Sequence, residues 1–285
     1  MCGRYAASKD QAELVEEFDI ELVASEPGRS VLATPQQPPA GTADYNMAPT
    51  KQAPVVLTRA PRGATAAGAE AEPQEPLRQL RLLTWGLVPS WSKDHRGAAR
   101  MINARVETVR DKPAYRSALA TRRCLVPATG WYEWQVSPTA TDRRGKPHKQ
   151  PFFIHRADGA TAAFAGLYEF WRDPAVTDRD DPAAWLATFT VITTEAEAGL
   201  DRIHDRQPLV LERDDWAEWL DPTLTDPAAL SLLVRGYGPG RFAAYPVSTA
   251  VNGSLSNGPG LLVPADADQL HGVVDPITGE VIGHD

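Results

Sequence analysis

The chain has 285 residues, 42% of them hydrophobic, and a formal net charge of −8 at pH 7. This composition, with eight Trp, seven Tyr and seven Phe, excludes an intrinsically disordered chain and allows one large domain or two small ones. Two cysteines, Cys2 and Cys124, exclude a disulfide framework and a four-cysteine zinc site. No apolar run approaches the roughly 20 residues of a membrane span and no signal peptide is recognised, so we expect a cytoplasmic protein without membrane association.

The first residues, Met1-Cys2-Gly3-Arg4-Tyr5, contain an unusual second residue. Aminopeptidases remove an initiator Met when the next side chain is small, so a mature chain would begin with Cys2. Its α-amine (pKa about 7.7–8.0) and its thiol (about 8.5) would then both be partly nucleophilic near neutral pH. The alternative is that Cys2 is an accident of the translation start and has no function. The first residues of most domains are poorly ordered, which favours this alternative.

Short helix and strand patterns follow in chain order. Apolar spacing over residues 9–18 predicts an amphipathic helix, and a turn at 87–91 carries an indole. Further helices are predicted at 113–119, 216–220 and 227–234. Strands are predicted at 54–57, 79–85, 123–127, 152–155, 163–168, 189–194 and 245–248. Residues 102–109 are compatible with a strand end that enters a helix, and residues 129–134 with a turn followed by a strand. Cys124, inside an apolar strand, is interpreted as an inert core thiol.

These strands do not alternate regularly with helices, which favours an α+β fold. We predict a single domain with a mixed or antiparallel, barrel-like sheet flanked by short helices. Two Ala/Pro-rich stretches, at about 25–43 and 60–76, are interpreted as loop insertions. The domain is predicted to span residues 2–252, and 253–285 to form a weakly ordered tail.

Positive charge is concentrated in one segment. Residues 93–123 contain nine basic and three acidic residues, a net charge of +6, so the rest of the chain carries −14. Such a segment is either a solvated charged helix or a local binding surface for an anionic partner.

Six motifs in this order resemble the SOS-response-associated peptidase (SRAP) family, and the resemblance runs from Cys2 to about residue 252. They are Met1-Cys2-Gly3-Arg4-Tyr5, Tyr45-Asn46-Met47-Ala48-Pro49, Trp85-Gly86-Leu87-Val88-Pro89-Ser90-Trp91, Ile102-Asn103-Ala104-Arg105-Val106-Glu107, Gly130-Trp131-Tyr132-Glu133-Trp134 and His204-Asp205-Arg206-Gln207-Pro208.

The resemblance implies covalent capture of abasic sites in single-stranded DNA. The α-amine of Cys2 would attack the ring-opened aldehyde, and the thiol would then add to the imine carbon to close a thiazolidine. The family is also described as peptidases that remove their own Met1, and lyase-like chemistry is a further expectation. No cofactor or metal is implied, and we expect a nucleoid-associated monomer.

Three further catalytic residues are implied by the resemblance. Glu133 would shuttle protons during imine formation and sugar ring opening. His204 would protonate the sugar ring oxygen or stabilise its open form. Asn103 would orient Cys2 by a hydrogen bond. The alternatives are a surface carboxylate, a structural histidine and an Asn engaged in local turn chemistry.

Five residues are predicted to contact DNA. Arg105, on the same strand face as Asn103, and Arg4 are assigned to phosphate. Trp85 and Trp91 are assigned to base stacking, worth roughly 1–3 kcal/mol per base, with core packing as the alternative. Ser90, beside Trp91, belongs to the same surface.

One departure and two rival functions stay open. Gln207 stands where the family commonly has Met, and we expect altered packing rather than lost activity. An N-terminal-nucleophile amidohydrolase would also use an unmasked Cys2, but its glutamine-binding motifs are not found. A non-covalent single-stranded-DNA-binding module would explain the basic segment and leave Cys2, Glu133 and His204 without a role.

Overall fold

The computed structural model describes residues 2–61, 74–178, 180–234 and 237–282. Its helices are Gln11–Glu17 (α1), Pro113–Thr121 (α2), Trp216–Leu220 (α3) and Pro227–Leu233 (α4). Its strands are Tyr5–Ala7 (β1), Leu22–Ala24 (β2), Asp44–Met47 (β3), Gln52–Arg59 (β4), Leu77–Trp85 (β5), Asn103–Arg105 (β6), Arg123–Ala128 (β7), Gly130–Thr141 (β8), Pro147–Arg156 (β9), Ala162–Arg172 (β10), Trp185–Glu195 (β11), Arg206–Pro208 (β12), Val210–Leu211 (β13), Phe242–Pro246 (β14), Val273–Val274 (β15) and Val281–Ile282 (β16).

Five of the strands close a mixed barrel. The order β11-β10-β7-β4-β5 is antiparallel throughout, and a parallel contact between β5 and β11, with Thr84 opposite Thr188, completes the ring. Closure pairs the edges that an open sheet would leave exposed. The predicted α+β fold, with a barrel-like sheet and short flanking helices, is confirmed.

A second, antiparallel sheet with the order β14-β9-β8-β1-β3 shares a hydrophobic core with side chains of the barrel strands. β1 lies inside this sheet, with Tyr5 opposite both Trp131 of β8 and Met47 of β3. The shared core is rich in aromatic side chains, among them Tyr5, Trp85, Trp131 and Phe164. The N-terminus is therefore held by the centre of the fold.

The helices cover the outer face of the barrel. α1 begins with a capping box between Asp10 and Glu13, and α3 contributes the buried Trp219. Arg123, which belongs to the basic segment, is buried here, and its guanidinium donates to the carbonyls of Leu119, Ala120, Trp219 and Asp221. It anchors α2 and α3 to β7 and is not part of an exposed basic surface.

Two predicted irregular regions differ in outcome. Residues 25–43 contain no helix or strand, and a pair of hydrogen bonds between Gln36 and Gln52 ties them to β4. Most of the second stretch, residues 62–73, lies outside the described residues.

The segment from residue 253 is more ordered than the sequence predicts. It contains 3-10 turns and the β15–β16 hairpin, and Leu261, Leu270 and Val273 are buried. Its apolar residues are isolated in the sequence and pack only against the folded surface of the domain. No hydrophobic periodicity therefore predicts their burial. In the described part of the chain, no helix has the length and apolar character needed to cross a membrane.

Candidate active site

Cys2 lies three residues before β1, and the sheet pairing continues toward it because the Tyr132 N–H donates to the Arg4 carbonyl at 2.9 Å. The residue is fully buried, and its Sγ lies 3.8 Å from the Arg4 carbonyl oxygen. Burial and the nearby Glu133 carboxyl raise the pKa of the Cys2 thiol well above its ordinary value. The thiol is therefore protonated at neutral pH and needs a base before it can attack.

Asn103 holds the backbone of Cys2. β6 runs parallel to β11, with Asn103 opposite Val191, and this pairing directs the amide toward the N-terminus. Nδ2 of Asn103 donates to the Cys2 carbonyl at 2.6 Å, and the Tyr115 hydroxyl donates to the Asn103 carbonyl at 3.3 Å. The buried Oδ1 of Asn103 has no partner among the described residues and can accept a hydrogen bond.

Glu133 lies on β8 and is only 2% exposed. Its Oε1 is buried without a hydrogen-bond partner in the described part of the chain. Burial raises the pKa of Glu133 to about 8, and the Asp205 carboxylate adds to the shift. A carboxylic acid that is protonated at pH 7 is suited to donating a proton and later recovering it.

His204 comes immediately before β12 and faces Glu133. The Arg206 backbone N–H donates to Nδ1 at 3.0 Å, so the neutral ring carries its proton on Nε2, which lies 4.0 Å from Glu133 Oε2. Asp205 Oδ1 lies 3.0 Å from the same Nδ1 and can accept a hydrogen bond from it when the ring is charged. Burial lowers the pKa of His204. The 4.0 Å between Nε2 and Oε2 is longer than a direct hydrogen bond.

Two contacts fix the segment that carries His204. The Arg206 guanidinium forms a two-pronged ion pair with Glu107, at 2.6 and 3.0 Å, and donates to the Thr193 carbonyl. The buried Gln207 accepts a hydrogen bond from the Glu197 backbone N–H at 2.9 Å. The residue that departs from the family pattern thus secures the turn leading to His204.

Arg4 and Asn46 connect the N-terminus to a C-terminal loop. Arg4 Nη1 donates to Asn46 Oδ1 at 2.7 Å and to the Val251 carbonyl at 3.0 Å. The fully buried Asn46 amide in turn contacts the carbonyls of Val251, Gly253 and Ser256. Arg4 is half-buried in this brace, so any phosphate contact is additional to a structural role. The sequence does not single out Asn46 as a site residue, although it lies in one of the six motifs.

Trp85 does not face solvent, and its predicted role in base stacking is wrong. The side chain is fully buried, its Nε1 donates to the Ile102 carbonyl at 2.9 Å, and its ring packs on Tyr5 and Phe189. The physical reason is its position on the inward face of β5, where the alternation of the strand directs it into the barrel.

Ser90 and Trp91 lie on an exposed turn, and Trp91 is 68% exposed. The turn starts at Gly86, which has a φ of +132°. A Cβ at this position would lie 2.5 Å from the Ala98 carbonyl oxygen, so other residues are excluded. On the far side of the turn, the Trp171 indole donates to the Ser92 carbonyl at 2.7 Å. The turn is thus fixed while the Trp91 indole stays available.

Most basic residues of the segment that follows this turn are exposed. Arg105 is exposed, and because it lies two residues beyond Asn103 on β6 it shares the face of Asn103. Six further basic residues of the segment are exposed: Lys93, Arg96, Arg100, Arg110, Lys112 and Arg116. Within the described ranges, no three His, Cys, Asp or Glu side chains group to hold a metal.

Comparison with known proteins bears on the family to which this chain belongs. The profile of the family described as SOS response associated peptidase (SRAP) matches residues 1–254. The chain belongs to the SRAP family. It is 34% identical over 262 residues to the abasic site processing protein YoqW of Bacillus subtilis, covering 92% of this chain and 99% of that protein.

A second relative and a solved structure agree on the extent of the match. The abasic site processing protein YedK of Escherichia coli is 30% identical over 265 residues, covering 93% of this SRAP chain and 100% of its own. A crystal structure of a protein from Bacteroides thetaiotaomicron superposes with a TM-score of 0.65 at 20% identity, covering 93% of this chain and 100% of that one. The latter likeness concerns the fold alone.

Proposed function

We propose that this SRAP protein processes abasic sites in single-stranded DNA by a covalent crosslink through Cys2. The observation that carries the proposal is the convergence of Asn103 on the Cys2 backbone, with the buried Glu133 and His204 4.0 Å apart. The names of the relatives, abasic site processing proteins, support the same substrate.

The chemistry requires removal of Met1, which frees the α-amine of Cys2. The amine attacks C1′ of the ring-opened sugar, and the carbinolamine loses water to give an imine. The Cys2 Sγ–C1′ bond then forms as the imine accepts a proton on nitrogen, which closes a thiazolidine. Aldehyde and cysteine thus combine with loss of one water. Consumption of the imine prevents β-elimination and keeps the strand intact.

Glu133 and His204 supply the proton transfers. Glu133, protonated at neutral pH, donates to the departing water or to the sugar ring oxygen, and the carboxylate formed then accepts the thiol proton. His204 directs its Nε2 proton toward the same region. Trp91, Ser90 and Arg105 are assigned to contacts with the single-stranded DNA at the protein surface. Arg4 is assigned to a DNA phosphate near Cys2.

The test is adduct formation on denaturing gels and by intact mass, using single-stranded DNA with one abasic site. Wild-type protein should give a heat-stable shifted band that Cys2→Ala removes and the matched control Cys124→Ala retains. A non-cleavable tag before Cys2 should also abolish it. Adduct formation by Cys2→Ala at the wild-type rate would refute the mechanism, and hydrolysis of glutamine would favour the amidohydrolase alternative.

A further inference from the structure

Gln135 lies on β8 two residues beyond Glu133, and the alternation of the strand places both side chains on one face of the sheet. The side chain is buried, with 2% of the residue exposed. Its Nε2 donates to the Arg202 carbonyl at 3.0 Å and to the Val274 carbonyl at 2.9 Å, and its Oε1 accepts from the Val274 N–H at 2.7 Å. Both donors and the acceptor of this amide are therefore used to join two other segments to β8.

One of these segments is residues 270–282, here called the C-terminal strap. It contains the β15–β16 hairpin, in which Val273 is fully buried. A second contact ties it to β8, because Ser137 Oγ, on the same strand face as Gln135, donates to the Gly272 carbonyl at 2.7 Å. The strap is thus attached to the strand that carries Glu133.

The other segment is the 3-10 turn Leu200–Arg202, which ends two residues before His204. The His204 N–H donates to the Leu200 carbonyl at 3.0 Å, so the turn sets the position of the histidine backbone. The side chain of Arg202 binds the strap, since Nη1 donates to the carbonyls of Pro276 and Ile277 at 2.5 and 3.2 Å. The turn is therefore held by β8 through its backbone and by the strap through its arginine.

These contacts connect the two groups that transfer protons in the proposed reaction. His204 Nε2 and Glu133 Oε2, 4.0 Å apart, belong to distant parts of the chain. Gln135 is two residues from Glu133 along β8, and it binds a carbonyl two residues from His204. Their separation matters, because a displacement of about 1 Å can slow a reaction roughly 10²-fold.

We propose that Gln135, supported by the C-terminal strap, is a positioning residue that holds His204 opposite Glu133. Its effect on the reaction rate rests on the proposed function. Its effect on the place of His204 does not, and the two are measured separately.

Proton NMR of the mature protein, without DNA, tests the position of His204. The ring signals are assigned among the six histidines by their loss in His204→Ala. Burial lowers the pKa of His204 from its ordinary value of 6.5. In Gln135→Met, which keeps a side chain of similar size and loses the amide, we expect the turn to loosen. The ring then becomes more exposed, and its pKa rises toward 6.5.

The rate of adduct formation on single-stranded DNA with one abasic site tests the consequence for the reaction. Gln135→Met should slow it by roughly tenfold or more. Arg202→Ala, which removes the exposed side chain that binds the strap, should slow it severalfold. In a His204→Ala background, Gln135→Met should cause no further slowing, because a positioning residue acts only through the group that it positions.

Gln150→Met is the matched control. Gln150 is a buried glutamine opposite Gln135 on β9, and its amide donates to the Val247 carbonyl at 2.7 Å. Its replacement also removes a buried amide, but from a site that does not bind the turn before His204. Gln150→Met should leave the His204 pKa unchanged and form the adduct at close to the wild-type rate.

Three results would overturn the proposal. They are a wild-type His204 pKa in Gln135→Met, a rate in Gln135→Met no lower than in Gln150→Met, and undiminished slowing by Gln135→Met in the His204→Ala background. If Gln135→Met does not fold, Arg202→Ala, at an exposed position, carries the same measurements. Absence of any adduct with wild-type protein would refute the proposed function instead, and the NMR titration would still decide whether Gln135 holds His204.

Discussion

At the scale of single residues, the site depends on what burial does to two ionisable groups. Burial keeps both the Cys2 thiol and the Glu133 carboxyl protonated near neutral pH. A protonated carboxyl beside a protonated thiol can donate one proton and accept another. A carboxylate and a thiolate together would be strongly disfavoured in this buried site. The arrangement is costly for folding, because a carboxylate formed at high pH stays buried.

This cost predicts the pH dependence of stability. The folded pKa of Glu133, about 8, lies above its ordinary value of 4.5. Its contribution to stability is fully present below pH 4.5 and is lost as the pH rises through about 8. Glu133→Gln, which cannot ionise, should therefore match wild type near pH 5 and exceed it by roughly 3–5 kcal/mol at pH 9.

Thermal melts from pH 5 to 9 measure the difference. Glu218→Gln, a matched change at an exposed helical position, should stay within about 0.5 kcal/mol of wild type throughout. Parallel melting curves for Glu133→Gln and wild type would show that Glu133 is not buried as described. Glu133→Gln should also slow adduct formation by roughly 10²-fold, because it removes the general acid.

At the scale of elements, the site is assembled by short strands that meet from distant parts of the chain. β1 brings Cys2, β6 brings Asn103, β8 brings Glu133, and the residues before β12 bring His204. The segment from the end of β5 through the turn at 87–91 adds one buried and one exposed indole at its two ends. These two tryptophans, six residues apart, make a matched pair of probes.

Trp85→Ala and Trp91→Ala should have opposite effects. Loss of the buried Trp85 ring should lower the free energy of unfolding by roughly 3–5 kcal/mol. Loss of the exposed Trp91 ring should leave stability within about 0.5 kcal/mol and weaken binding of single-stranded DNA by roughly 5–150-fold. Denaturant unfolding and fluorescence anisotropy measure the two. Unchanged DNA affinity in Trp91→Ala would remove this residue from the proposed interface.

The sequence predicts the elements better than their surroundings. The β-branched run at 189–194 correctly indicates β11, and in the structure Asn103 contacts Cys2 while Glu133 lies 4.0 Å from His204. The motifs do not distinguish Trp85 from Trp91, because a strand's alternation gives two faces and does not say which one is inside. Nor does the sequence distinguish the buried Arg123 from the exposed arginines of the same segment. That distinction depends on where α2 and α3 pack.

At the scale of the whole molecule, an acidic protein carries an exposed segment that is locally basic. The net charge is −8, yet seven basic residues between 93 and 116 are exposed in the stretch of chain that follows Trp91. Such an asymmetry directs an anionic strand to one side and repels it from the others. The effect acts through counterion release, so it depends on salt.

Arg105→Gln should weaken binding of single-stranded DNA and reduce the slope of log K against log salt by about 0.7. The affinity for single-stranded DNA is measured at roughly 50 to 200 mM salt. Both proteins carry Cys2→Ala, so that no adduct forms. Arg144→Gln, which is exposed on the turn after β8, should leave the slope unchanged. An unaltered slope in Arg105→Gln would show that this guanidinium does not contact phosphate.

The position of β1 in the middle of its sheet has a mechanical consequence. Under the proposed chemistry, DNA is attached three residues from a strand that is hydrogen-bonded on both sides, to β8 and to β3. A replication machine that pulls on the DNA would pull directly on this strand, with little slack between. The load would reach the aromatic core through Tyr5 before any surface loop could yield. Force applied to the attached DNA would therefore be resisted by the fold as a whole.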